Sequence, residues 1–155
     1  MTTHILSLTY APKIPLVKSG DCTQTIRLHN PEKPKMVGDK LLLHTWAGKP
    51  YRSKWDWRLK TSIEDLTLLR FPADDPTPLL LFHRGKVWLP TDDIGLYNIG
   101  IADGVRRSFA DANPSFEAMV FKDVLAKLNG RKYLFDTTWD IIRWPKPDGV
   151  GSRRT

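Results

Sequence analysis

The segment from Lys18 to Arg27, with the sequence KSGDCTQTIR, places a glycine, a thiol, several hydroxyl groups and a guanidinium between two apolar stretches. In its second half, Thr23, Thr25 and Arg27 follow one another with one residue between each pair. A strand has a side-chain period of two, so we expect these three side chains to share one face. Such a row suits an anionic or hydrogen-bond-rich ligand, and the segment therefore predicts a strand that forms the floor of a binding site.

The spacing of Gly20, Cys22, Thr25 and Arg27 resembles the G-x-K-x-x-E-x-R signature of the ASCH family, relatives of the PUA-like RNA-binding barrels. The glycine and the arginine match, whereas Cys22 stands in place of the motif lysine and Thr25 in place of the glutamate. Companion segments of the family also resemble this chain in the same order. They are a strand and short helix over 5–17, a strand over 38–44, an acidic turn at 102–104, a helix start at 115–117 and a last strand ending at 139–144.

This resemblance covers most of the chain and implies an α+β fold, a small and mostly antiparallel PUA-like β-barrel with a few short helices. A length of 155 residues with 41% hydrophobic residues fits one domain with one core. We expect that domain to span residues 1–146, with an insertion around 51–100 after the third strand. The glycine- and arginine-containing residues 147–155 predict a flexible basic tail.

The chain carries 24 basic and 17 acidic residues, a net charge of +7, which favours a phosphate-bearing or otherwise anionic partner. A generically soluble basic surface is the alternative. A single cysteine excludes an internal disulfide and a thiolate-rich metal site, and the four histidines lack metal-ligand spacing, so we expect no metal. No nucleotide-binding motif is present, and we expect no cofactor. Without an apolar run of membrane length or a signal sequence, the expectation is a cytoplasmic protein with no membrane contact.

A second constellation runs from Trp46 to Arg58, where cationic residues alternate with aromatic rings. Cations neutralise phosphates, and rings stack on unpaired bases, so this pattern is typical of surfaces that bind RNA or single-stranded nucleic acid. The alternative for the tryptophans is a half-buried strand with a period of two. For the residues beside Gly48 and Pro50, in a predicted loop, we favour binding. The predicted binding residues are Arg27, Lys49, Tyr51, Arg52, Lys54, Trp55 and Arg58.

The family resemblance also implies a possible enzyme. ASCH relatives include a hydrolase that removes the acetyl group from N4-acetylcytidine, in which a threonine attacks, a lysine activates it and a carboxylate assists. By motif position the threonine corresponds to Thr25 and the carboxylate to Asp103, while Cys22 occupies the position of the lysine. Either Cys22 is itself a nucleophile, or Lys18 replaces the missing amine, or Cys22 is a small buried apolar residue. Asp103 is alternatively a turn residue before Gly104.

The preferred prediction is a domain that binds RNA, single-stranded nucleic acid or a modified nucleotide in a basic, aromatic-lined cleft. The alternative is a hydrolase of N4-acylated cytidine-type nucleosides, or a ribonuclease, that uses the same cleft. A module for protein interaction is a third possibility, which an exposed apolar surface around residues 79–88 would favour.

Local patterns also predict individual elements. Strands are expected at 5–8, 23–28, 41–46 and 132–144, with a short helix over 11–18. Residues 79–82 and 87–89 predict a hairpin. Residues 92–104 fit a helix or a loop, and residues 113–130 predict a helix with one apolar face.

Overall fold

The computed structural model describes residues 1–73, 77–82, 87–102, 121–122, 124–127 and 136–147. Within them the chain forms eight strands and two continuous helices, and residues 121–122 and 124–127 are also helical. In chain order the elements are β1 (Thr3–Ser7), α1 (Ile14–Ser19), β2 (Gln24–Leu28), β3 (Lys40–Trp46), β4 (Trp55–Ser62), β5 (Asp65–Phe71), β6 (Leu79–Phe82), β7 (Leu89–Pro90), α2 (Asp93–Ala102) and β8 (Thr137–Arg143). The fold is therefore mixed α+β, as predicted.

The strands are arranged in two sheets. Sheet A has the order β1-β3-β4, and sheet B has the order β2-β8-β5-β6-β7. All pairs are antiparallel except β1 with β3, which confirms the expectation of a mostly antiparallel architecture. The ladders of the two sheets do not join within the described ranges, so closure into a barrel stays a prediction.

Sheet B is the middle layer of the molecule because its two faces bury two different cores. One core lies between the sheets and includes Leu41 and Leu43 from sheet A and Ile142 from sheet B, together with Val17 of α1. The other core packs the opposite face of sheet B against α2 and the helical residues Phe121, Leu125 and Ala126. β8 supplies side chains to both cores, so its apolar residues occur consecutively.

Short backbone hydrogen bonds connect the two sheets where the chain passes from β4 to β5. The amide of Ile63 donates to the carbonyl of Asp39 at 2.8 Å, and the amide of Glu64 donates to the carbonyl of Arg143 at 2.8 Å. The chain thus turns from sheet A into sheet B across only two residues. Both β4 and β5 fall inside the stretch 51–100 that we expected to be an insertion, and β5 lies centrally in sheet B.

The predicted elements agree with the structure in most places. The four expected strands correspond to β1, β2, β3 and β8, and β6 pairs with β7 as the expected hairpin. Residues 93–102 are helical, which decides between the two alternatives for that segment. The expected helix over 113–130 and the expected turn at 102–104 lie largely outside the described residues.

β5 is the strand that the sequence patterns did not predict. Its sequence DLTLLRF has an apolar run without regular alternation. Because Leu66 packs into one core and Leu69 into the other, both faces of this strand are buried, and a period of two is lost. No helix in the described part of the chain is long and apolar enough to cross a membrane.

Candidate nucleic-acid interface

A β-bulge in the β3–β4 hairpin separates the two tryptophans of β4. Thr45 pairs with Trp57, but the next pair is Trp46 with Trp55, which leaves Asp56 as the extra residue. Trp57 packs against the core between the sheets. Trp55 instead contacts Trp46, with ring centroids 6.3 Å apart, on the outer face of sheet A. The interpretation as a packed strand residue is therefore confirmed for Trp57, whereas binding by Trp55 stays a prediction.

Four rings form a cluster on this outer face, which we call the aromatic cluster: His44, Trp46, Tyr51 and Trp55. The imidazole of His44 stacks on Trp55 with centroids 3.8 Å apart and an interplanar angle of 13°. Trp46 meets His44 edge-on at 5.0 Å, and Tyr51 lies 5.3 Å from Trp46. Tyr51 is 84% exposed, so its ring offers a free stacking surface next to three packed rings.

The loop at residues 47–54 presents the cations of the hairpin to solvent. Ala47 donates its amide to the carbonyl of Lys54 at 2.8 Å, and the hydroxyl of Ser53 bridges the loop by accepting from Gly48 and donating to Lys49. These bonds satisfy the loop backbone, so its long side chains take no part in holding the turn. The exposed residues of this loop that we predicted to bind nucleic acid are Lys49, Tyr51, Arg52 and Lys54.

Arg58 adds a charge beside the aromatic cluster. Its guanidinium carbon lies 5.1 Å from the centroid of the Trp55 ring, which is a cation–π distance. In the β3–β4 ladder Arg58 stands directly opposite His44. The structure thus brings Tyr51, Trp55 and Arg58 together, three of the residues predicted to bind nucleic acid.

Arg27 approaches the same place from sheet B. Its Nη2 donates to the carbonyl of Ser7 at 2.5 Å and its Nε to the hydroxyl of Thr25 at 3.3 Å, so Thr25 and Arg27 share a face as predicted. Ser7 is the β1 partner of His44. The carboxylate opposite Arg27 on β8, Asp140, contacts the side chains of His29 at 2.8 Å and Lys35 at 3.2 Å.

His44 is the residue that connects these groups. It is only 3% exposed, and no described residue bonds its Nδ1. Burial lowers its pKa from the ordinary value of 6.5, and the positive charges of Arg27 and Arg58 lower it further. The imidazole of His44 is therefore neutral at neutral pH, and it lies near the guanidinium groups of Arg27 and Arg58.

The four tentative catalytic residues are placed differently. The thiol of Cys22 is 1% exposed and donates to the carbonyls of Gln24 and Ala102. Thr25 is 3% exposed, and its hydroxyl accepts from Arg27. The ammonium of Lys18 lies 6.0 Å from the Trp57 ring, and Asp103 falls outside the described residues. These contacts of Cys22, Thr25 and Lys18 are thus directed to four different residues, Gln24, Ala102, Arg27 and Trp57.

Sequence reasoning did not single out His44 and left Trp46 out of the predicted binding residues, although Trp46 begins the second constellation. The available signal was a polar histidine inside the apolar strand LLLHTW, where a strand residue needs a partner. Its neighbours Trp55 and Arg58 belong to β4. Their position beside His44 can be known only from the register between β3 and β4. No group of three or more histidine, cysteine or acidic residues in the described ranges could hold a metal ion.

The hairpin surface and the β2 residue Arg27 together form the candidate interface, defined by geometry alone. No protein-family model matches the chain, and searches of curated proteins and of solved structures also find no match.

Proposed function

We propose that this protein binds RNA or single-stranded nucleic acid, or a modified nucleotide, through the aromatic cluster and the cations around it. The observation that carries the proposal is the exposed ring of Tyr51 beside Trp46, within a hairpin whose loop displays Lys49, Arg52 and Lys54. Unpaired bases stack on such rings, and cations along the same surface neutralise the backbone. Duplexes keep their bases stacked internally and offer only phosphates, so single strands are the preferred ligand.

The electrostatics of the hairpin support an anionic polymer. Four cations lie within ten residues, with Asp56 as the one acidic residue among them. The carboxylate of Asp56 accepts a hydrogen bond from the hydroxyl of Thr45, and the formal charges of these five residues, four positive and one negative, sum to +3. If each of the four cations neutralises one phosphate, single-strand affinity falls by about 50-fold between about 50 and about 200 mM salt.

We further infer that the fold is a divergent ASCH-type relative of the PUA-like barrels. In support, the motif glycine Gly20 adopts a left-handed conformation with φ of 82° as it ends α1, a place where glycine is favoured. The core between the sheets is also bordered by strands on two sides, as a barrel interior is. In this view the two sheets are the halves of an opened barrel.

The hydrolase and ribonuclease alternatives have less support. A nucleophile must be available to its substrate, yet the thiol of Cys22 and the hydroxyl of Thr25 are buried and already hydrogen-bonded to other groups of the protein. The amine that would activate either one lies over Trp57. We therefore rank binding above catalysis.

The test is a titration of labelled single-stranded RNA, single-stranded DNA and duplex at the two salt concentrations. Removing one stacking ring costs about 1 to 3 kcal/mol per base, so Tyr51→Ala is expected to weaken single-strand binding by about 5- to 150-fold. Arg52→Ala is expected to weaken it less and to reduce the salt slope by about 0.7.

Lys40→Ala is the matched control. Lys40 is an exposed cation on β3, four residues before His44 and six before Trp46, which places it about 13 Å and about 20 Å along the strand from these two rings. Lys40→Ala removes one positive charge, as Arg52→Ala does, and is expected to leave the affinity for single strands nearly unchanged. Binding of a nucleic-acid polymer is wrong if no oligonucleotide binds at the lower salt concentration, which would leave a modified nucleotide as the ligand. The role of the aromatic cluster is wrong if Tyr51→Ala binds as tightly as the unchanged protein. Shortened oligonucleotides in the same samples would instead support the ribonuclease.

A further inference from the structure

One row of side chains crosses all three strands of sheet A. Ser7 on β1 pairs with His44 on β3, and His44 pairs with Arg58 on β4. Arg27 is attached to the β1 end of this row through its hydrogen bond to the Ser7 carbonyl. Neighbouring strands lie about 4.8 Å apart, so the row from Ser7 to Arg58 spans about 10 Å between backbone positions. We call it the Arg27–Arg58 row.

Two buried donors near the row have no hydrogen-bond partner in the described part of the chain. They are Nδ1 of His44 and Nε1 of Trp46. A buried N–H group without a partner costs about 1 to 3 kcal/mol, so such groups require an explanation. The indole N–H can only donate, and the imidazole donates from both nitrogens once it is protonated. A negatively charged hydrogen-bond acceptor would satisfy both groups.

Resting on the proposed function, we propose that the Arg27–Arg58 row is the subsite for one phosphate group of the bound nucleic acid. Guanidinium groups at the two ends would attract the anion, and the nitrogens of His44 and Trp46 would complete its hydrogen bonds. The adjacent base would then stack on the aromatic cluster, whose outermost ring is Tyr51. The phosphate is either an internal diester or a terminal monoester, since both present the same oxygens.

The proposed subsite couples binding of the anion to protonation of His44. A phosphate beside His44 offsets the two positive charges that hold its pKa low, so anion binding raises that pKa. Proton uptake then accompanies binding, and affinity rises as the pH falls below the pKa of the bound state. In the described part of the chain, the charged groups that face His44 are Arg27 from β2 and Arg58 from β4, which stay protonated throughout. Ser7, Trp46 and Trp55 do not titrate in this range.

The experiment uses the full chain and a 5′-hydroxyl RNA oligonucleotide, whose diester groups do not titrate between pH 5 and pH 8. Arg58→Gln is expected to weaken binding by about tenfold and to reduce the salt slope by about 0.7. His44→Gln is expected to abolish the rise of affinity toward acidic pH. Lys40→Gln, at the far end of β3, is expected to retain both the affinity and the pH dependence.

A second arm separates the two sources of phosphate and the two proposals. Oligonucleotides with a 5′-phosphate, a 3′-phosphate or neither are compared, and a nucleoside monophosphate is titrated while the Trp46 indole proton and the His44 ring are followed by NMR. Tighter binding of one phosphorylated end assigns the row to a terminal group, and equal binding assigns it to a diester. If Arg58→Gln and His44→Gln weaken RNA binding no more than Lys40→Gln does, the subsite is wrong. The proposed function would then still stand.

If no polymer binds but the monophosphate shifts both resonances, and Arg58→Gln abolishes the shifts, the subsite stands, and the proposed binding of RNA or single-stranded nucleic acid fails. Absence of every effect overturns both. Because Arg58 is exposed at the surface of β4, its variant tests the subsite even if replacement of the buried His44 disturbs folding.

Discussion

β2 and the β3–β4 hairpin both carry polar residues in strand alternation, but they use them in opposite ways. In β2 and the segment before it, Cys22 and Thr25 are buried, and their polar groups already have partners inside the protein. In the hairpin, Tyr51 and the loop cations face solvent. β2 belongs to the middle layer, where unpartnered polar groups are costly, whereas the hairpin loop lies beyond the cores. The contrast teaches that residues at the positions of a resembled motif, such as Cys22 and Thr25, can be buried and already bonded within the protein.

The largest expected effect tests the structural role of the polar groups on β2 and β8. Asp140 is buried and holds Lys35 at 3.2 Å and His29 at 2.8 Å. Asp140→Ala leaves the largely buried Lys35 without its partner, so we expect a loss of about 3 to 5 kcal/mol in the free energy of unfolding, measured by urea denaturation. The exposed Asp21 offers the matched control, and Asp21→Ala is expected to cost less than about 0.5 kcal/mol. Equal losses in the two variants would contradict this role.

A smaller effect is expected at Cys22, the residue in the motif lysine position. Cys22→Ala removes one buried heavy atom and is expected to lower stability by about 1 kcal/mol while leaving RNA affinity unchanged. In the native protein the thiol is expected to react with a disulfide reagent far more slowly than in urea, because burial protects it. A native thiol as reactive as the unfolded one would show that β2 is an open site and would break the contrast with the hairpin.

A pH effect of smaller size is expected from His44 in the hairpin. Its folded-state pKa lies below 6.5, so under mildly acidic conditions the unfolded chain binds a proton that the native ring does not. The free energy of unfolding therefore falls as the pH drops below about 6.5 and is constant for this group above it. His44→Gln is expected to show a shallower loss between pH 7.5 and pH 5.5. Parallel curves for the two proteins would indicate that His44 is not held between the arginines.

The smallest expected effect on stability is at the most exposed ring. Tyr51 has a left-handed φ of 63°, which costs a non-glycine residue about 1 to 2 kcal/mol. Tyr51→Gly relieves that cost but gives the unfolded chain more freedom, worth about 0.5 to 1 kcal/mol, so thermal unfolding should change little. Single-strand affinity should fall as in Tyr51→Ala. A clear loss of stability with unchanged affinity would reverse the assignment of the hairpin to binding and of β2 to structure.

Much of the fold was accessible from the sequence because the signals are local. Four strands, the β6–β7 hairpin and the first helix follow from alternation, proline positions and turn residues. β5 was not accessible, since its two buried faces remove the alternation on which a strand prediction depends. Barrel closure was not accessible either, because it depends on which edges of the two sheets pair.

The candidate site likewise has features that could be predicted from the sequence and features that could not. The sequence by itself identified the basic and aromatic hairpin and the shared face of Thr25 and Arg27, because loop composition and a period of two are properties of neighbouring residues. Only the tertiary structure decided that a bulge turns Trp55 outward, that His44 lies beneath it, and that Arg27 and Arg58 reach the same row from different sheets. Those relations depend on strand register between residues far apart in the chain, which no local pattern contains.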